Sequence, residues 1–253
     1  MILRSNMRWF LTAISFFTRI PIFVEKIGPE DLDRSLRFFP LVGLIVGGLG
    51  ALVYYLSAYL WPSYISILLA LSIPPLLTGA LHEDGLTDFA DGFGGGYTKE
   101  KILTIMKDSS IGTFGAGALI ISSALKFGCY LAIPPKYIPL AFFCSHGFSR
   151  LSASFLNWKL NYARKQDNSI KQLGSRKTHI RDIPFQMAFG LIPFMLLPPY
   201  LGFVILGSTI IFLLGLQKYL KAKIGGYTGD CLGAAQQVTE LIVLLSLSAS
   251  LAA

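Results

Sequence analysis

The feature that most constrains this chain is a succession of apolar stretches of bilayer-spanning length, near residues 38–59, 63–81, 113–133, 137–157, 183–199, 200–217 and 231–252. Crossing hydrocarbon takes about 20 mostly apolar residues as a helix, because a helix satisfies its own backbone hydrogen bonds where no water is available. The expected fold class is therefore all-α, a polytopic integral membrane bundle of about six to eight membrane helices. The segment 7–24 is also apolar, but Arg19 and Pro21 interrupt it. A short span, a re-entrant piece and an interfacial helix all remain open for it. It lacks a small-residue cleavage site and reads as part of the mature protein. Nothing marks off a second soluble domain, a low-complexity tail or an internal repeat, so residues 1–253 read as one membrane domain.

Composition agrees, with 53% hydrophobic and only 14% charged residues, against about 25% charged in an average soluble domain. The net charge of +8 does not point to nucleic acid, because the basic residues are confined to short loops rather than interleaved along a groove. Membrane lipids with anionic headgroups and phosphorylated small molecules are the expected partners. Residues 25–37 carry three Lys or Arg, 82–112 three, 158–182 seven and 218–229 three, whereas 60–62 and the Pro198-Pro199 turn carry none and 134–136 only Lys136. By the positive-inside bias the four basic loops share the cytoplasmic side of the inner membrane. Cys129, Cys144 and Cys231 stand apart in or beside apolar segments, so neither a disulfide framework nor a zinc site is expected.

One stretch breaks the apolar pattern. Between 79 and 96 the chain reads Gly-Ala-Leu-His-Glu-Asp-Gly-Leu-Thr-Asp-Phe-Ala-Asp-Gly-Phe-Gly-Gly-Gly, which puts Glu83, Asp84, Asp88 and Asp91 within nine residues, four of the fourteen acids in the protein. Asp84, Asp88 and Asp91 stand at i, i+4 and i+7, so on a helix they share a wedge of roughly 60°. Like charges on one stripe repel. A cation is expected among them, and hard oxygen donors without paired His or Cys favour Mg²⁺ over zinc. The acidic metal motif is thus placed on a helix at the cytoplasmic end of the bundle. His82 reads as a hydrogen-bonding helper rather than a ligand.

Other polar residues border the same loops. Lys107, with Asp108, Ser109, Ser110, Gly112 and Thr113, precedes a span; such a cluster suits a phosphate at a helix N-terminus, or Asp108, Ser109 or Thr113 simply caps the helix. Arg150 lies inside an apolar run, where an ionisable group is functional, paired or snorkelling. Asp230 opens the last span and reads as an N-cap or a ligand-binding residue. Glu240 follows about 15 Å further along that helix, at membrane depth, and is expected to face the bundle interior toward a cation or Arg150. Pro74-Pro75 and Pro134-Pro135 are expected to kink or end helices, and the polar stretch from Lys159 to Asp182 is the best candidate for a lid.

The run His82-x-Asp84-Gly85-Leu86-x-Asp88-x-x-Asp91-Gly92, followed by Ile105-Met106-Lys107-Asp108-Ser109-x-Ile111-Gly112-Thr113-Phe114-Gly115, resembles the cobalamin 5'-phosphate synthase family. Phe17-Thr18-Arg19-Ile20-Pro21, Phe38-Phe39-Pro40-Leu41-Val42-Gly43, Arg150, Tyr162-Ala163-Arg164 and Tyr227-Thr228-Gly229-Asp230 stand in the order that family shows, so the likeness covers nearly the whole chain. The resemblance implies an integral membrane transferase that joins adenosylcobinamide-GDP to α-ribazole or its 5'-phosphate, releases GMP and requires Mg²⁺. A second copy of the chain or another enzyme of the late pathway is the protein partner it leaves open.

On this reading Asp84, Asp88 and Asp91 are metal ligands, with Glu83 as a fourth ligand or a supporting group. Asp88 or Asp91 takes the proton of the attacking hydroxyl, and sequence does not choose between them. Lys107, Arg150 and Arg164 hold phosphate oxygens, and Asp230 and Glu240 belong to the substrate-binding set. The acid spacing is also similar to that of the CDP-alcohol phosphotransferases, but Leu86-Thr87-Asp88-Phe89 replaces the Ala-Arg portion of their signature. A phospholipid-type phosphotransferase is therefore one alternative. A cation-coupled transporter is another, against which stands the clustering of acids in one motif with no inverted repeat.

Overall fold

The computed structural model describes residues 2–164 and 177–251. Of the stretch expected to act as a lid, residues 165–176 lie outside the described residues. Regular structure among the described residues is helical: α1 (Ile2–Phe17), α2 (Pro29–Ser35), α3 (Phe39–Ser57), α4 (Ser63–Thr78), α5 (Leu81–Gly95), α6 (Lys99–Ile105), α7 (Thr113–Ala132), α8 (Ile138–Lys159), α9 (Ile183–Leu191), α10 (Pro199–Ile224) and α11 (Gly229–Leu251). A lone parallel bridge joins Tyr162 to Tyr227.

Among the described residues four helical segments are long and apolar enough to cross a membrane: Pro29–Ser57, Thr113–Ala132, Pro199–Ile224 and Gly229–Leu251. A fifth is obtained if α4 and α5, bent by 84° at their junction, count as one broken span. The expected span at 137–157 does not pass on hydropathy, for a physical reason. Its helix, α8, is the centre of the bundle, and Ser145, His146, Ser149, Arg150, Ser152, Ser154 and Asn157 are all buried in it. A helix sheathed by other helices has no need of an apolar exterior. The expected span at 183–199 is the nine-residue α9 continued by a 3₁₀ turn over Ile192–Leu196. Residues 7–24 contribute the end of α1, an amphipathic helix that stops at Phe17, ahead of Arg19.

Glycines decide how closely the central helices approach. A Cβ on Gly43 of α3 would lie 2.3 Å from the His146 carbonyl oxygen, and one on Gly47 would lie 2.5 Å from that of Phe142. The backbones of α3 and α8 therefore touch directly, as small residues allow in membrane bundles. The α4–α5 elbow is made by two left-handed residues, Gly79 (φ 67°) and Ala80 (φ 58°). Pro74 and Pro75 do not end α4, which runs on to Thr78, whereas α7 does end ahead of Pro134-Pro135.

This packing yields a test. Gly47→Ala should lower the thermal midpoint of the detergent-solubilised protein, the overpacking costing about 1–3 kcal/mol. Gly117→Ala on α7, where a Cβ would meet nothing within 4 Å, should leave it unchanged or higher. Equal midpoints for the two variants would contradict the close α3–α8 approach.

Candidate active site

All four acids of the motif lie on α5, with Glu83 and Asp84 in its first turn, where the positive end of the helix dipole favours them. The position of α5 is set by α11. A Cβ on Gly85 would come within 3.1 Å of the Gly233 Cα, and one on Gly233 within 3.0 Å of the Gly85 Cα. Two backbones in contact there bring the motif beside the start of α11. Asp88 consequently lies within electrostatic reach of Asp84, Asp230 and Asp91, and of the guanidinium of Arg164.

A cavity of about 280 Å³ opens at this junction, lined by Asp84, Gly85, Arg164, Asp230 and Gly233 together with aromatic residues of α1 and α3. Arg164 donates to the Asp230 carboxylate at 2.8 Å, and the Thr228 hydroxyl donates to the same oxygen at 3.1 Å. The cavity therefore carries a guanidinium and two carboxylates at its charged part.

The four acids differ in how far their oxygens are committed. Asp91 is buried, and it accepts from the Gly112 N–H at 2.7 Å and the Gly115 N–H at 2.8 Å. It therefore caps α7 from across the chain, satisfying two of the amide groups that a helix start leaves open. Neither Asp108, Ser109 nor Thr113 provides that cap: Gly112 is the N-cap residue, with no side-chain bond of its own. Asp108 binds the N–H of Ser110 at 3.0 Å and its hydroxyl; these bonds, the hydroxyl's first, hold its carboxyl below the usual carboxylate range. Glu83 accepts from Gln237 at 3.0 Å through one oxygen, while the other is buried without a partner among the described residues. Asp84 is exposed and Asp88 half-buried.

Of the expected phosphate-holding residues, only Arg164 lines the cavity. Lys107 is exposed on the loop that Asp91 tethers. Arg150 is 1% exposed inside the bundle, where it donates to the His146 carbonyl oxygen at 3.0 Å and lies 5.8 Å from the centre of the Phe39 ring. Glu240 does face the bundle interior, and its direct partners are Lys126 of α7 and His146 of α8, the latter at 2.7 Å. Gln236 donates to it as well. Gln237 then joins Lys126 to Glu83, so a polar chain runs from the membrane-buried Glu240 to the acidic helix. Lys126 gave no signal in the sequence beyond being the one Lys inside α7.

Among the described residues no three His, Cys, Asp or Glu side chains converge tightly enough to enclose a metal ion. The donor chemistry nevertheless fits Mg²⁺. That ion is held by one or two carboxylates together with water and substrate phosphates rather than by an all-protein cage, and Asp84 and Asp88 are oxygen donors in no ion pair among the described residues.

The sequence matches the family described as Cobalamin-5-phosphate synthase over residues 9–248. The chain belongs to that family. Among its curated relatives, an adenosylcobinamide-GDP ribazoletransferase of Vibrio parahaemolyticus is 38% identical over 98% of this chain and 94% of its own length. Relatives of the same name from Shewanella frigidimarina, 39% identical over 93% and 92%, and Vibrio cholerae, 38% identical over 99% and 97%, are similar to it to the same degree. No solved structure matches the chain.

The Asp91 cap can be tested by stability. Asp91→Asn replaces one accepting oxygen by a donor and should lower thermal stability by about 1.5–3 kcal/mol, the worth of a hydrogen bond to a charged group. Gly115→Ala, whose Cβ would fall 2.3 Å from an Asp91 oxygen, should do the same. Asp84→Asn should leave stability within about 0.5 kcal/mol of the parent. Thermal melts of the three purified variants decide it, and a full-stability Asp91→Asn would remove the cap.

Proposed function

We propose that the chain transfers the phosphocobinamide group of adenosylcobinamide-GDP to α-ribazole or its 5'-phosphate, with release of GMP, from a site facing the cytoplasm. The observation that carries this reading is the cavity in which Asp84 and the Arg164–Asp230 pair share one space with an aromatic wall. Carboxylates and a guanidinium suit the charged phosphoryl group, and an aromatic wall suits the base of a nucleoside. The name of the relatives, borne by proteins similar along nearly the whole chain, weighs for it against the CDP-alcohol phosphotransferase and transporter readings.

Mg²⁺, when bound, neutralises charge developing on the phosphoryl oxygens and on the leaving group. Asp84 and Asp88 would hold it, with Asp230 close by. Arg164 donates its planar fork to the diphosphate, exchanging a carboxylate partner for a phosphate one. Asp88 accepts the proton of the ribose 3'-hydroxyl; Asp91, with its oxygens already receiving two amide protons, holds the Lys107 loop in place instead. The hydroxyl oxygen forms its bond to the phosphorus nearest cobinamide as that phosphorus parts from the bridging oxygen, which leaves with GMP. Lys107 meets phosphate from the tethered loop. Arg150 and Glu240 act from inside the bundle by fixing α8 and α11 behind the site. In the membrane, α8 and the α9 segment join the apolar helices to give six or more crossing elements.

Asp84→Asn and Asp88→Asn should each reduce GMP release at saturating substrates by about 100-fold or more, the loss of several kcal/mol of charge stabilisation. Near-parent rates at saturating Mg²⁺ would sink the assignment. Arg164→Ala should lower kcat/KM roughly 10- to 150-fold without raising the Mg²⁺ needed for half-saturation.

Orientation is open to chemical labelling. The three native cysteines are buried, so background reaction is low. A cysteine at the exposed position Ser109 should react only from the cytoplasmic side, and one at exposed Ser63 only from the opposite side. Reversed labelling would turn the whole site outward.

A further inference from the structure

The cavity beside Asp84 has a second part that the phosphoryl chemistry does not use. Phe16 and Phe17 of α1, Phe39 of α3 and Tyr162 wall it. Phe17 stacks on Phe39, their rings 4.4 Å apart and 27° from parallel. The neutral polar side chains that α8 and α9 contribute to the wall are turned away to protein partners. Gln186 donates to the Leu36 carbonyl oxygen at 2.7 Å and accepts from the Trp158 indole at 3.0 Å. Asn157 donates to the Tyr227 hydroxyl at 2.8 Å and accepts from the Thr178 N–H at 2.9 Å. Ser154 donates to the Arg150 carbonyl oxygen at 3.0 Å. Two other lining residues keep a buried nitrogen without a partner among the described residues: Arg164, through its Nε at the charged part of the cavity, and His82 of α5, which is 5% exposed, through its Nε2.

We infer that this aromatic pocket takes the benzimidazole base of the acceptor nucleoside, with His82 Nε2 meeting the one free ring nitrogen of that base, and that the guanine of the donor stays outside it. The inference rests on the transfer reading above and assigns one substrate moiety within it. A purine such as guanine carries several donors and acceptors on its edge. Walls whose amides are already paired would leave those groups unsatisfied, at a desolvation cost for each. A dimethylbenzimidazole presents apolar edges and faces to aromatic walls, and a single acceptor to the single uncommitted imidazole nitrogen. The volume of about 280 Å³ is at the small end of ligand sites. It suits a base and excludes the cobinamide macrocycle.

Calorimetric titration of the purified protein, without donor or Mg²⁺, should show α-ribazole and free 5,6-dimethylbenzimidazole binding competitively, with GMP displacing neither. Phe16→Ala should weaken both about 10-fold or more, and Phe16→Tyr, which keeps the aromatic wall, should restore them. In turnover, Phe16→Ala and His82→Phe should raise KM for α-ribazole and leave KM for adenosylcobinamide-GDP unchanged. Failure of both nucleoside and base to bind, displacement by GMP, or a rise in donor KM alone would overturn the assignment. If the parent protein releases no GMP from adenosylcobinamide-GDP, the transfer reading fails, while the titration still decides what the pocket holds.

Discussion

The active-site geometry depends on one contact, the meeting of α5 and α11 at Gly85 and Gly233, where a single added methyl would lie about 3 Å from the opposing backbone. That approach sets Asp84 and Asp88 near Asp230 while both helices stay regular. Hydrocarbon tails are as apolar as leucine side chains, so apolar burial does not press membrane helices together; close packing does. The same logic brings α3 onto α8 at Gly43 and Gly47. Close approach of backbones, rather than a large apolar core, positions the chemistry.

Close packing leaves little room for water, which raises the stakes for the charges inside. Glu240, Lys126, His146 and Arg150 lie together in the bundle. A lone charge there would be very costly, whereas a hydrogen-bonded set is tolerated. The set also has a mechanical consequence: Gln237, one residue beyond Gln236 on α11, reaches Lys126 on α7 and Glu83 on α5. Three helices are thus tied at one level, immediately behind the first turn that carries Asp84.

Much of this was legible in the sequence and some was not, for reasons that individual residues show. The helical spacing of Asp84, Asp88 and Asp91 and the apolar lengths of α3, α7, α10 and α11 follow from local periodicity, which a sequence displays directly. The polar α8 did not announce its central position, because its hydropathy reflects what surrounds it rather than what it is. Glu240 could be read as inward-facing from cost alone, but its partner Lys126 lies 114 residues away, and distant pairing carries no local signature. The loop before α7 offers Asp108, Ser109 and Thr113 as caps, where caps usually come from; the cap arrives instead from Asp91, 21 residues upstream of Gly112.

Four carboxylates of similar chemistry on one helix acquire different work through what already holds their oxygens. Asp91 accepts one backbone N–H at each oxygen and so holds the loop. Glu83 is half-occupied by Gln237 and so ties α5 to α11. Asp84 and Asp88 have no such partner among the described residues; Asp84 lines the cavity with Arg164 and Asp230, and Asp88 lies within electrostatic reach of both, which is what the proposed contact with a cation and a substrate needs. Asp91 keeps its charge on the same stripe as Asp84 and Asp88, and without the two N–H groups that stabilise that charge the repulsion would oppose folding of the helix more strongly. Binding one of the three to neighbouring N–H groups eases that repulsion and leaves Asp84 and Asp88 as the two acids of the stripe for the proposed chemistry.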